Sequence, residues 1–530
     1  MFLQLPVLVL RVQRLTIVQQ KRFVLLTKIV VNLLRSNMIC EDMLPINTVE
    51  HSGFKNLMNI MEPSYNVPCR KTITTRIQGQ YNEKVNYIKE KSMTINSVSL
   101  STDCWTSRNV DSYITVTGHF INNFWQLESF NICTKEITHS HTSENLFETI
   151  QSVIIEWKLD NKVQCISYDN AANITLAVKM MSLDGIISNP CATHTLQLCI
   201  KKTLDIQIFS SLIKRASSIV SAFKHSYKRS NALENVLEQL GKPKLSLIQS
   251  CPTRWNSTMF MLERLLAIRQ GIVTVMADRT HFTRQQAKKL EFIEEDWDHC
   301  NILCNLLKPI HLATTVLCAD KKVTISLIRP IIHSLIFKHL KIDENENSLM
   351  TNFKTTVSQE LSVRFEIGEN SLEEVNIAQI SCLLDHRYKN LNFEYSDSIK
   401  KNIKEKVRSK ILNLCRQSDI PNNVIPIQPT ALDTLLRNDS EENIDEFTTY
   451  LLEPQINHNL DPNNWWLQDE KQYPRVALLA KQILSVPASS ASSERVFSTA
   501  GNIITSKRSR LDPMNASALI FLHQNKKLKM

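Results

Sequence analysis

The spacing of apolar and polar residues changes twice along the chain. Residues 38 to 93 carry helical spacing, broken by a proline-marked loop at Pro63-Ser-Tyr-Asn-Val-Pro-Cys-Arg70. From Val98 the period drops to two. Val98-Ser-Leu-Ser-Thr-Asp103 alternates, and so does Tyr113-Ile-Thr-Val-Thr-Gly-His-Phe120, with Ile114, Val116 and Phe120 on one face. Trp125-Gln-Leu-Glu-Ser-Phe-Asn-Ile132 is a third candidate strand, and the short joins predict an antiparallel meander. Helical spacing returns at Ser143 to Trp157, where Leu146, Ile150, Val153 and Trp157 share a face and Ser143 is the expected N-cap. Val163 to Tyr168 reads as a fourth strand with Asp169 at its end, and Asn170-Ala-Ala-Asn173 opens the next helix.

Three strands, a helix, a strand and a helix is the order of an RNase H-like sheet, so the expected fold class is α+β, mixed. Beyond it the spacing is helical for a long stretch, as in Ser211 to Phe223 and Thr324 to Ile336. The organisation expected is an atypical, poorly ordered segment at 1-37, a helical region at 38-93 and the first part of the core at 94-205. An all-helical insertion follows at 206-445 and a C-terminal helical region at 446-525. The polar, acidic stretch 418 to 447 reads as a flexible connection. Helical spacing resumes after it, with Trp465-Trp466 and then Tyr473-Pro474 to Leu484, where Pro474 suits a helix start.

Composition narrows the function classes. The excess of 62 basic over 52 acidic residues, +10 in all, is compatible with a polyanion partner. With 8 glycines and neither GxGxxG nor GxxxxGK, a glycine-rich phosphate loop is not expected. The 13 cysteines are scattered and odd in number, as in reduced thiols of an intracellular protein. Cys300 and Cys304 with His311 come nearest to a zinc pattern, but Asn301 to Leu307 reads as a core helix, so no zinc site is identified. The first 37 residues hold six Lys or Arg and no acid, which breaks their apolar runs too often for a membrane span. They also lack the layout of a signal peptide, so no targeting role is expected.

Candidate chemistry lies in a few polar clusters. Asp103 sits within a strand, where Asp is disfavoured, and Asp169 ends another. If those strands are neighbours, the two carboxylates converge at one edge of the sheet. Phosphoryl transfer uses such carboxylates to hold two divalent ions roughly 3.5–4 Å apart. The competing explanation is that they only end strands, with Asp169 a helix N-cap. Near the C-terminus, Val486-Pro-Ala-Ser-Ser-Ala-Ser-Ser-Glu-Arg-Val-Phe-Ser-Thr-Ala-Gly501 is a run of small residues with one acid, Glu494, beside Arg495. A capping-box origin fails, because Ala491 stands three positions before Glu494. Cys191-Ala-Thr-His194 and Arg254-Trp-Asn-Ser257 are weaker signals, and taken alone His194 and Trp255 are better explained as packing residues.

Taken together, five stretches resemble the hAT family of DNA transposases and the BED zinc-finger host proteins related to them. They are Ser101 to Thr106, Ser167-Tyr-Asp-Asn-Ala-Ala-Asn173, Cys191 to His194, Cys251-Pro-Thr-Arg-Trp-Asn-Ser257 and Pro487 to Ser498, in the family's order. The resemblance covers roughly residues 38 to 525. It implies an RNase H-like catalytic core split by a helical insertion and completed by a C-terminal dimerisation region, with the Val476 to Leu484 helix in the dimer contact. It implies that Asp103, Asp169 and Glu494 are DDE carboxylates binding Mg²⁺ and cutting and joining DNA. It also implies DNA contacts at His194, at Arg254 and Trp255, the latter stacking on a flipped base, and the basic run Lys507, Arg508 and Arg510 after Glu494 is a further expected DNA-binding group. The expected partners are DNA and a second copy of the chain, in a homodimer or higher homo-oligomer. No membrane or small-molecule substrate is expected, and the location is nuclear. The alternative is a non-catalytic DNA- or chromatin-binding regulator. The BED finger usual in this family is not found in residues 1 to 37, which contain neither Cys nor His, so the expectation is a truncated or decayed copy, or a gene model that lacks its first exon.

Overall fold

The computed structural model describes residues 37–63, 65–106, 112–370, 374–417, 445–503 and 511–528. The expectations for 1–36, for the acidic connection at 418–444 and for Lys507, Arg508 and Arg510 lie outside these residues.

A long helix, α1 (Arg70–Met93), leads into β1 (Val98–Thr106), β2 (Ser112–Ile121) and β3 (Leu127–Ile137). Helix α2 (Ser143–Glu156), β4 (Val163–Tyr168), α3 (Ala172–Met181), β5 (Ile187–Pro190) and α4 (Ala192–Leu204) follow. The strands form a five-stranded sheet in the order β3-β2-β1-β4-β5. β1, β2 and β3 are antiparallel, whereas β4 and β5 run parallel to β1. This is the RNase H-like arrangement that the element order predicted, with one addition. β5 was not anticipated, because four residues ending in proline carry too little alternation to register.

Two helix starts differ from expectation by a residue or two. Thr142, not Ser143, caps α2 by accepting a hydrogen bond from the Asn145 amide at 3.3 Å. α3 begins at Ala172 after an Ala171 N-cap, so Asp169 is not that helix's cap.

Alternation along β1 gives the sheet two different faces. Val98 and Leu100 join Ile114, Val116, Ile132 and Ile166 against Leu146, Ile150 and Val153 of α2 and Ile174 and Val178 of α3. The other face carries Ser99, Ser101, Thr117, His119, Ser167 and Asn189, all buried. Buried polar groups need partners, and these find theirs in the C-terminal segment described below.

The helical insertion contributes α5 (Gln207–Lys224), α6 (Trp255–Ala267), α7 (Glu294–Leu317) and α8 (Ile377–Leu384), among shorter elements. The expected helix at Thr324 to Ile336 is instead a 3₁₀ turn, a short α-helix at Ile328–Ser334 and a π turn at Leu335–His339. Pro330 lies in the first turn of that α-helix, where its missing N–H does no harm. Among the described residues, one stretch, 284–317, is long and apolar enough by composition to cross a membrane. Here it turns Trp297, Cys300, Leu303, Leu307 and Ile310 into the insertion's core.

The chain closes with α9 (Pro474–Leu484), α10 (Ala491–Ile503) and α11 (Pro513–Gln524). The expectation that Val476 to Leu484 forms the dimer contact is not met. Val476, Ala477, Ala480 and Leu484 are fully buried within this one chain, packed with α8 and β2. A helix apolar on nearly all sides is a core helix, and its apolar surface is already used. α11 lies along the edge strand β3. There the Asn525 side chain takes both backbone groups of Asn131, at 3.0 and 2.9 Å, and Ser517 donates to the Thr134 carbonyl at 2.8 Å. That covers part of a strand edge otherwise open to pairing.

Candidate active site

The small-residue run is small because it lies flat against the polar face of the sheet. Ser485 Oγ is 3.0 Å from Ser99 Oγ. The Pro487 carbonyl accepts from Ser167 Oγ at 2.9 Å and from Asn189 Nδ2 at 3.1 Å. Ser101 Oγ meets Ser492 Oγ at 2.8 Å, Ser493 Oγ at 3.0 Å and His119 Nε2 at 2.9 Å. Val486, Ala488, Ser489, Ser490 and Ser493 are all buried, so a larger side chain at these positions would hold the segment off the sheet. The same bonds fix α10 over β1 and β2 and put Glu494 in its first turn.

Strand register accounts for the other two acids. Ser101 of β1 pairs with Ser167 of β4 in parallel, and two residues further along each chain stand Asp103 and Asp169. Asp169 is thus just past the end of β4, and its Oδ1 accepts from the Ala171 amide at 3.4 Å. Glu494 stands in the first turn of α10, which packs on β1 and β2. The Asp103 carboxyl is pushed up to about 8, first by burial and then by the charges of Glu494 and Asp169. The ionised form of Asp103 is therefore disfavoured by its burial and by both of the other acids.

The donor set fits a divalent cation in chemistry. It is oxygen-only, as Mg²⁺ prefers, and Asn170 Oδ1, next to Asp169, is buried without a hydrogen-bond partner. The carboxylates are not drawn into a closed shell: among the described residues, no three His, Cys, Asp or Glu groups are gathered tightly enough to hold an ion.

The Cys-Ala-Thr-His stretch braces this corner. Cys191, before α4, donates its amide to the Tyr168 carbonyl at 2.7 Å, and its sulfur accepts from the Ser490 amide at 3.3 Å. Ala192 N donates to the Ala488 carbonyl at 2.9 Å. His194 Nδ1 accepts from the Asn170 amide at 3.2 Å, so its neutral ring carries the proton on Nε2. His194 is therefore adjacent to the Asp169 loop.

Arg254 is exposed at the start of α6, but Trp255 is not a free stacking surface. Its ring is 4% exposed, packed edge-on to His311 at 6.4 Å, and its amide donates to Gln197 Oε1 at 3.2 Å. In this structure Trp255 is a packing residue, and stacking on a base would require it to leave the core. Cys300 and Cys304 are buried in α7 with thiols pushed up to about 12 by burial, which suits core packing rather than zinc. The described cysteines are all free.

Sequence reasoning missed two features. One is the Ser101–His119–Ser492 network, in which His119 Nδ1 also lies 2.9 Å from Ser129 Oγ. The other is the pairing of Arg495 with Asp320. Both join residues hundreds of positions apart or on separate strands, and only the serines and the arginine beside Glu494 signalled them.

Three family models match the chain. Residues 101–190 match the ZBED1 RNase-like domain, 189–306 the ZBED1 RNase-like helical domain, and 446–526 the hAT family C-terminal dimerisation region. The family's dimerisation region is therefore present. The chain is 24% identical over 522 residues to a putative AC transposase of Zea mays, covering 90% of this chain and 62% of that protein. It is 25% identical over 522 residues to a putative transcriptional regulator, tpeD, of Talaromyces stipitatus, covering 90% and 60%. It is 22% identical over 536 residues to the human zinc finger BED domain-containing protein 4, covering 92% and 43%. The chain thus spans less than two thirds of the length of these relatives. The core match, the helical match and the dimerisation region follow one another in the order the fold requires, and the chain belongs to the hAT family of transposases and related BED zinc-finger-type proteins.

Proposed function

We propose that this chain is a nuclear, dimerising DNA-processing protein whose DDE-type site uses Asp103, Asp169 and Glu494. One observation carries the reading. Asp103 and Asp169 stand two residues beyond the paired Ser101 and Ser167 of neighbouring strands, and the charges of Glu494 and Asp169 both raise the Asp103 carboxyl. Asp103, Asp169 and Glu494 would hold Mg²⁺, which when bound polarises a phosphodiester and lowers the pKa of an attacking water. The protein's own contribution is placement. β1 and β4 fix the two aspartates by register, the buried serine run fixes Glu494, and Asn170 holds His194 beside the Asp169 loop. Arg254 and the run Lys507, Arg508 and Arg510 are the candidate phosphate contacts.

The test is nicking of a supercoiled plasmid by the purified chain with Mn²⁺ or Mg²⁺, alongside Glu494→Gln and a Ca²⁺ control. Metal-dependent nicking that Glu494→Gln abolishes supports the reading. A folded, dimeric chain that binds plasmid but never nicks it favours the second reading, a non-catalytic DNA-binding regulator. The burial of Trp255 is the observation that favours this second reading.

A further inference from the structure

Glu494 is followed at once by Arg495, whose guanidinium reaches out of the C-terminal region into the helical insertion. It donates to the Asp320 carboxylate and to the Cys318 carbonyl. Two more bonds join the same segments. Ser489 Oγ donates to the Leu317 carbonyl at 3.2 Å, and the Ala488 amide donates to Thr324 Oγ1 at 3.0 Å. The loop that leaves α7 is therefore stitched at several points to residues 488–495. α7 is 24 residues long, roughly 36 Å, and it packs on α6 and α4. His311, six residues before its end, meets the Trp255 ring.

We infer that Arg495 is a positioning residue that ties Glu494 to the helical insertion through the loop at 318–324. The inference rests on the reading of Glu494 as a metal ligand. Two features argue for orientation over general stability. Both partners are well exposed, Arg495 at 46% and Asp320 at 62% of the side chain, and exposed ion pairs add little to folding. The buried Ser489 and Ala488 bonds already attach the segment, so Arg495 is not needed to dock it. What Arg495 adds is a contact to the insertion from the residue next to Glu494. Any ligand that shifts α7 would then be felt at Glu494.

The experiment uses the full chain and Mn²⁺ as the probe. Mn²⁺ affinity is measured by calorimetry, plasmid nicking as kcat and KM, and unfolding by thermal melt, for wild type, Arg495→Ala, Arg495→Lys, the swap Arg495→Asp with Asp320→Arg, and Glu494→Gln. Groups that support metal ligands typically change affinity or activity by about 10–100-fold when removed. Arg495→Ala should weaken Mn²⁺ binding and lower kcat by about tenfold, leave KM for plasmid unchanged and keep the melting midpoint within about 2 °C. The charge swap should recover part of the loss. If wild type binds Mn²⁺ and Glu494→Gln abolishes this, but Arg495→Ala binds as wild type does, the positioning role is overturned while the site survives. If wild type and Glu494→Gln respond to Mn²⁺ alike, the reading of Glu494 fails and the positioning role falls with it.

Discussion

Replacing Asp103 by Asn should make the metal-free protein more stable while removing its response to metal. The folded carboxyl is raised from 3.8 to about 8, by burial first and by Glu494 and Asp169 next. Between those values the fold holds a proton that the unfolded chain releases. Stability is therefore fully present below 3.8 and is lost as pH rises through 8. At pH 7 the penalty is (7 − 3.8) × 1.36, an upper bound of about 4 kcal/mol. Asp103 is only partly buried by surface area, so solvent screening brings this to about 2 kcal/mol. Asn has the same shape and no charge, so the mutant escapes the penalty.

The assay is thermal unfolding in chelator-treated buffer from pH 4 to 9, with and without Mn²⁺. The mutant should melt several degrees above wild type at pH 8, and the two should converge near pH 4. Mn²⁺ at a hundred times its dissociation constant stabilises a binding-competent fold by about 2.7 kcal/mol, so wild type should gain and the mutant should not. A mutant that melts below wild type at pH 8, or that gains equally from Mn²⁺, would refute the electrostatic account of the corner.

Two other outcomes follow from buried groups. His119 is lowered from 6.5 to about 4 by burial, so its share of stability is intact above 6.5 and falls as pH drops toward 4, at about 1.36 kcal/mol per unit; His119→Gln should flatten the acid limb of a pH melt. Arg329 and Glu394 form a two-bond pair in the insertion with side chains 2% and 0% exposed, at 2.8 and 2.6 Å. Arg329→Met leaves the buried carboxylate without its cation, with only the Gln379 amide still donating to it at 3.3 Å, and should cost about 3–5 kcal/mol in a denaturant titration, much of it recovered by adding Glu394→Leu.

The parts of this fold legible in the sequence were those written in local period. β1, β2, β3 and β4 were visible because alternation is a property of neighbouring residues. Asp103 and Asp169 stood out because each broke or ended such a pattern. What was not legible depended on distant partners. Trp255 offered no sign of being buried against α7 and α4, since its partners His311 and Gln197 lie 56 and 58 positions away. The apolar spacing of α9 told of a covered face but not of what covers it, and the cover proved to be α8 and β2 of the same chain.

The serine run shows how closely fold and site are joined. Ser99, Ser101, Ser167 and Asn189 are buried polar groups on a sheet, and their partners include the Ser485, Ser492 and Ser493 hydroxyls and the Pro487 carbonyl. Without residues 485–493 each would be left short of a partner, at about 1–3 kcal/mol apiece. The core therefore needs the C-terminal segment in place, and that segment carries Glu494 at its end. It also lies inside the 446–526 dimerisation match. The hydrogen bonds that complete the core therefore also hold the segment that carries Glu494 over β1 and β2, so in the proposed site the position of the third carboxylate depends on the same bonds as the fold.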